Sequence, residues 1–247
     1  MNILFSCAGR RNYLINYFKD ALKGEGKVYA ADMQLTAPAL VDADVALEVP
    51  AIYADNYVSS LKDIIKNNSI DAVISLNDLE LPILSKAKLE LEALGAKVII
   101  ASEDSIDVAF DKWETVLFLE KHGLKSPKTY LTLGDAKKAI ERGDLNFPLV
   151  IKPRWGSASI GIDFPEDMRE LELAYELQTI KLHRTILAEA SKYDIDRAIM
   201  IQEKINGVEY GMDVLNDFEG NYVGTFVRQK LSMRSGETDK EYLMSRR

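Results

Sequence analysis

The residues best suited to chemistry form one run, Val150-Ile151-Lys152-Pro153-Arg154-Trp155-Gly156-Ser157-Ala158-Ser159-Ile160-Gly161-Ile162. A lysine closes an apolar strand, and a loop of small residues follows it. Small side chains let backbone N–H groups come close to phosphate oxygens, and the lysine adds a point charge for the same oxygens. No Lys-Ser or Lys-Thr follows Gly161, so the run is not a Walker A loop. A hairpin turn with a surface lysine accounts for it equally well. A second group is Gln202-Glu203-Lys204-Ile205, followed by Gly207-Val208-Glu209-Tyr210. An exposed backbone edge at Gln202 to Ile205 could pair with an adenine rim, and Glu209 could accept hydrogen bonds from ribose. An ordinary solvated strand edge is the plainer reading. A third group, Asp111-Lys112 ahead of Trp113, reads as part of a helix, where a surface charge pair is the plain expectation.

The elements that must position these residues come in two styles. Asn2 to Ala8 reads as a buried strand and Asn12 to Leu22 as a helix with Leu14, Ile15, Tyr17, Phe18 and Leu22 on its apolar side. Val28 to Ala31 is a strand ending at Asp32. Tyr57 to Asn67 is a helix, Ile70 to Leu76 a strand, Leu79 to Leu94 a helix stopped by Gly95, and Lys97 to Ala101 a strand. Short apolar strands alternating with helices imply crossover units and a parallel sheet. Ligands of such sheets gather beyond the carboxyl ends of the strands. Ser6, Asp32, Asn77, Asp78 and Glu80 are expected there, facing one crevice. Capping of a helix or turn explains Asp32 and Asp78 as well. Ser105 to His122 reads as one further helix. Beyond it the pattern becomes α+β: Lys128 to Leu133 and Pro148 to Pro153 as strands, Asp135 to Arg142 as a helix, and Glu166 to Lys192 as one long helical stretch. Ala198 to Ile205 follows as a strand. Glu209 to Asn216 and Tyr222 to Lys230 alternate around Asp217-Phe218-Glu219-Gly220, as in a hairpin. The domains expected are 1–104 and 105–247.

Bulk properties narrow the choice of partner. The chain has 247 residues, a hydrophobic fraction of 47% and a charged fraction of 28%, as in a globular protein with a sizeable core. A net charge of -8 argues against nucleic acid and membrane surface as the main partner. A small anion held by local basic groups is compatible with that charge. Cys7 is the only cysteine, so no internal disulfide forms, which suits a reducing cytoplasm. His122 and His183 lie far apart without a cysteine cluster, so no zinc site is expected and no metal ligand is assigned.

In order and spacing, Asp111-Lys112, Lys152-Pro153 with Gly156 to Gly161, and Gln202-Glu203-Lys204 with Gly207-Val208-Glu209-Tyr210 resemble the ATP-grasp superfamily. Ligases similar to the carbamoyl-phosphate-synthase large subunit are the subgroup they look most like. Ser6-Cys7-Ala8-Gly9-Arg10-Arg11, Asn77-Asp78-Leu79-Glu80 and Met233-Arg234-Ser235-Gly236-Glu237-Thr238-Asp239 also look like that subgroup. The resemblance implies an α/β fold: a parallel-sheet, Rossmann-like pre-ATP-grasp domain, then an α+β ATP-grasp domain incomplete at its C-terminus. It implies ATP and magnesium as cofactors, and a small carboxylate plus an amine as substrates, joined through an acyl phosphate. It implies that Lys112 and Lys152 contact phosphates and that Gly156, Ser157, Ala158, Ser159 and Gly161 fold over them. Glu203, Lys204 and Ile205 would line the adenine and Glu209 would hold ribose. Lys230 and Arg234 would meet the transferring phosphate or the carboxylate, while Ser6, Asn77, Asp78 and Glu80 would serve the substrate.

The family pattern continues beyond Gly236-Glu237-Thr238-Asp239 into an acidic residue and a Glu-x-Asn strand that bind magnesium, and Arg247 comes before them. The expectation is a chain inactive alone, either a truncated piece of a longer protein or half of a two-chain enzyme, completed by a second copy or a partner chain. A non-catalytic nucleotide-binding or regulatory module is the rival reading. A dinucleotide-dependent oxidoreductase fits poorly, because Ser6 to Arg11 holds one glycine instead of a Gly-x-Gly-x-x-Gly loop.

Overall fold

The computed structural model describes residues 1–156, 160–234 and 237–244, without the side chains of Met233, Arg234 and Glu237. Ser157, Ala158, Ser159, Ser235, Gly236 and the Arg234 side chain, all singled out above, lie outside the described residues. Two compact units emerge, Met1–Lys121 and His122–Arg247. The helical segment expected to open the second domain therefore packs with the first unit.

In the first unit, β1 (Asn2–Ser6), β2 (Lys27–Asp32), β3 (Val45–Glu48), β4 (Ala72–Ser75) and β5 (Lys97–Val98) form a parallel sheet in the order β3-β2-β1-β4-β5. Its helices are α1 (Asn12–Leu22), α2 (Pro38–Asp42), α3 (Tyr57–Asn68), α4 (Leu81–Glu92), α5 (Glu103–Phe110) and α6 (Lys112–Lys121). Helix α1 buries Ile15, with Phe18 and Leu22 packed against the same core as Ile3, Phe5, Val28 and Ala30. Lys23, left-handed at φ 50°, stops it by donating its N–H to Lys19 O. Helix α3 buries Tyr57, Leu61, Ile64 and Ile65, which form one helical stripe.

The second unit holds two small antiparallel sheets. One has the order β6-β8-β7, built from β6 (Thr129–Tyr130), β7 (Leu149–Pro153) and β8 (Ile199–Glu203). Helix α7 (Leu133–Glu141) and helix α8 (Met168–Leu182) pack on it through Ala136, Ala139 and Leu171 against Leu149, Ile151, Ile199 and Ile201. Helix α8 starts cleanly: Asp167 accepts from Glu170 N while the Glu170 carboxylate accepts from Glu166 N. A short helix, α9 (Leu187–Ser191), follows it. The other sheet, β11-β10-β9, comprises β9 (Tyr210–Asn216), β10 (Tyr222–Arg234) and β11 (Glu237–Leu243). At the β9–β10 turn, Asp217 Oδ1 accepts from Glu219 N and Asn221 N. No helix among the described residues is long and apolar enough to cross a membrane.

Four expectations from the sequence need correction. The helix read over 105–122 is two helices. Asp111 turns extended between them, at φ -93° and ψ 107°, and its Oδ1 caps α6 by accepting from Trp113 N at 2.9 Å. Lys112 therefore opens a helix instead of sitting inside one. The helical stretch over 166–192 breaks after Leu182, where Thr185 Oγ1 donates back to Leu182 O and accepts from Leu187 N. The supposed edge at Gln202 is interior, since β8 is the central strand and Gln202 lies between Val150 and Thr129. Finally α2, β3 and β11 went unread.

Candidate functional site

Lys152 sits on β7, whose side chains alternate between Leu149, Ile151 and Pro153 in the core and Val150 and Lys152 half-buried on the other face. Its cross-strand partner is Met200. Among the described residues the Lys152 side chain makes no hydrogen bond or ion pair. Burial alone, with no offsetting carboxylate, holds its ammonium below the usual lysine range. A half-buried cation without a counter-charge is a poor stabiliser but a ready anion receptor.

The glycine segment that follows is anchored at both ends. Gly156 has φ +128°, and a Cβ there would lie 2.9 Å from Leu187 Cδ2. Gly161 has φ +71°, and its Cβ would lie 3.1 Å from Pro153 Cγ. Both positions require glycine, for backbone conformation and for space. Between them and α8, the Gln178 amide, 4% exposed, donates to Ile151 O at 3.4 Å and to Asp163 Oδ2 at 3.0 Å. Asp163 bridges back to Ile151. Arg154 and Gln178 carry no signal in the sequence, because their partners are brought to them only by the fold.

Of the second motif, Gln202 is buried, its Nε2 donating to Thr129 Oγ1 at 2.7 Å. Glu203 donates its N–H to Lys128 O, and its carboxylate accepts from Lys128 N at 2.8 Å. Past Glu203 the chain leaves the sheet, and Lys204 and Ile205 are exposed. Lys204 Nζ lies 5.3 Å from the Phe164 ring centre. Glu209 and Lys230 are brought together, Nζ to Oε1 at 2.6 Å, with Lys230 N also donating to Glu209 O. One strand pair along, Arg228 bonds both Asp213 and Glu241.

In the first unit, Ser6 and Glu80 meet at the carboxyl ends of β1 and β4. Glu80 is 0% exposed. Its Oε2 accepts from Ser6 Oγ at 3.0 Å and Ser75 Oγ at 2.6 Å, and its Oε1 accepts from Tyr57 at 2.5 Å. Burial pushes the Glu80 carboxyl up, and the three hydroxyls and Cys7 only partly offset this. Burial likewise raises the Cys7 thiol and the Tyr57 phenol, the Glu80 charge adding to both. Asn77 Oδ1 accepts from Leu79 N, an Asx turn, and Asp78 is exposed. Asp32 holds the loop after β1, accepting from Gly9 N and Gln34 N. Tyr57 and Ser75 complete the Glu80 network, and the sequence reading assigned neither.

Family models match both parts of the chain. A PylC-like N-terminal domain matches residues 3–99 and an ATP-grasp domain matches residues 145–247. The carbamoyl phosphate synthase large chain of Xanthomonas axonopodis pv. citri is 26% identical over 132 residues, covering 53% of this chain and 11% of that protein. A D-alanine–D-alanine ligase of Methylacidiphilum infernorum is 40% identical over 87 residues, covering 35% of this chain and 26% of the ligase. Among solved structures, the L-amino acid ligase of Bacillus licheniformis superposes with a TM-score of 0.69 at 19% identity, covering 99% of this chain and 55% of that one. The biotin carboxylase domain of the Hydrogenobacter thermophilus 2-oxoglutarate carboxylase, a dimer in complex with magnesium ADP, ADP and bicarbonate, does so at 0.69 and 18%, covering 96% and 51%. At such identities the superpositions establish the fold alone, and the chain spans about half the length of these solved relatives. Residues 3–99 thus match a PylC-like N-terminal domain and residues 145–247 an ATP-grasp domain, and the fold is the one these solved neighbours share.

Proposed function

We propose that the chain binds ATP and serves the ATP-dependent joining of a small carboxylate to an amine through an acyl phosphate. The observation that carries this reading is Lys152: a half-buried ammonium without a counter-charge among the described residues, beside a loop whose glycines cannot be replaced without strain. That arrangement suits a polyphosphate. The lysine neutralises charge, and Gly156 and Gly161 keep side chains out of the approach. ATP supplies the phosphoryl group that activates a carboxylate. The chain's own part is to hold the phosphates and exclude water, since phosphoryl transfer depends mainly on positioning and charge neutralisation.

The other residues take their places by this reading. Lys204 and Ile205 border the base, and Glu209 faces ribose. Lys230 can meet a transferring phosphate only by exchanging its ion pair with Glu209. Glu80 and Ser6 act on a substrate indirectly, by fixing the strand ends around Asn77 and Asp78, because their own oxygens are already engaged. Among the described residues no three His, Cys, Asp or Glu side chains stand together as a metal site. Titration calorimetry with ATP, GTP and NAD tests the reading. ATP is expected to bind tightest of the three; tighter binding of NAD than of ATP would overturn it.

A further inference from the structure

The root of the glycine segment is held by a part of the chain far from it in sequence. Arg154, 8% exposed, places Nη1 2.8 Å from Asp194 Oδ2. Its guanidinium carbon lies 4.3 Å from the centre of the Trp155 ring, and Trp155 is itself buried. Arg154 N donates to Ala198 O at 2.7 Å, which extends the β7–β8 pairing one step past Pro153. Leu187, buried on α9, fills the space where a side chain on Gly156 would stand. Asp194, Leu187 and Ala198 all belong to the excursion between α8 and β8. Two residues after Lys152, that excursion sets the direction in which the chain leaves β7.

We propose that Arg154 and Asp194 form a brace that positions Lys152 and the start of the glycine segment for an anionic ligand, with Arg154 a positioning residue and not a ligand. The inference rests on the ATP reading above. Its physical basis is the cost of a buried guanidinium. At 8% exposure the Arg154 guanidinium is costly to deprive of Asp194, and its stacking on Trp155 carries any displacement to the residue before Gly156. The same pairing draws the guanidinium toward Asp194, so the brace itself offers no cation to phosphate. Asp194, the more exposed partner, is the place to cut.

The test compares ATP and adenosine binding by calorimetry for the full chain, Asp194→Asn, Asp194→Glu and Lys152→Ala. Asp194→Asn is expected to weaken ATP on the order of tenfold, the low end of what losing an orienting partner costs at metal sites. Adenosine affinity is expected to hold, and Asp194→Glu to restore most of the ATP affinity. A folded Asp194→Asn that binds ATP like the wild type overturns the brace. Tighter ATP binding by Asp194→Asn does the same, since it would mean that the released Arg154 reaches the phosphates. Equal losses for ATP and adenosine also count against it, as the mark of general loosening. Should Asp194→Asn fail to fold, Arg154→Lys, which keeps the charge but not the planar fork, is read against the same outcomes. Lys152→Ala separates the two layers. Unchanged ATP affinity there removes the ATP reading itself, whereas a loss there with none in Asp194→Asn removes only the brace.

Discussion

Keeping Lys152 charged where β7 half-buries it costs free energy that no carboxylate among the described residues returns. Its folded-state pKa is depressed. Its contribution to stability is therefore most favourable above the ordinary lysine value of 10.5 and worsens as pH falls through the folded value. Lys152→Met, which keeps the length of the side chain and drops the charge, should raise the urea midpoint of the ligand-free protein. The gain expected is about 1 kcal/mol or less, the usual scale when a functional residue is exchanged for a better-packing one. It should shrink as pH rises from the folded value past 10.5, above which the lysine is neutral in both states. A Met variant less stable than the wild type at pH 7 would show that Lys152 serves the fold instead. Lys152 was legible in the sequence because its signal is local: an apolar strand, a lysine, then glycines. Arg154 and Gln178 were not, because their partners Asp194 and Asp163 lie 40 and 15 residues away.

Elements with a continuous apolar period were read well, and those defined by single polar residues were not. Helix α1 matches its expected span, and the β9–β10 hairpin turns at Asp217-Phe218-Glu219-Gly220 as expected. Asp111 and Thr185 each break a helix with a side-chain hydrogen bond inside an otherwise helical pattern, which periodicity cannot see. Strand β3 is half-buried and only four residues long, too short to stand out. Glu80 shows how polar residues join elements: through Ser6, Ser75 and Tyr57 it ties β1, β4 and α3 at the end of the sheet. Because burial raises its carboxyl, its contribution is fully present below the ordinary value of 4.5 and is lost as pH rises through the folded value. Urea unfolding of the wild type and Glu80→Gln at pH 5 and pH 8 checks this. The wild type should lead by about 1–2 kcal/mol at pH 5, since the amide cannot accept from three hydroxyls at once. The lead should narrow at pH 8, because a carboxyl whose folded pKa is raised contributes less as pH rises. A lead that holds or grows at pH 8 would contradict the shift.

At the scale of the whole molecule, a chain with a net charge of -8 is asked to hold a polyanion. Long-range repulsion between them is screened within roughly 8 Å at physiological ionic strength, so local cations decide the outcome. A parallel sheet, read without its edge strand β3, and an antiparallel second unit were both anticipated from the change of period along the chain. Their division near residue 121 was not, because α5 and α6 resemble any pair of surface helices in sequence. The match of residues 145–247 to an ATP-grasp domain makes the nucleotide the natural ligand to measure, and Lys152 the group by which to measure it. The direct measurement is calorimetric titration of ATP and of adenosine into the wild type and into Lys152→Ala. A charge-assisted phosphate contact contributes about 1.5–3 kcal/mol, or roughly tenfold or more in affinity. The account predicts that loss for ATP with adenosine little changed; equal losses for both ligands, or none for ATP, would contradict it.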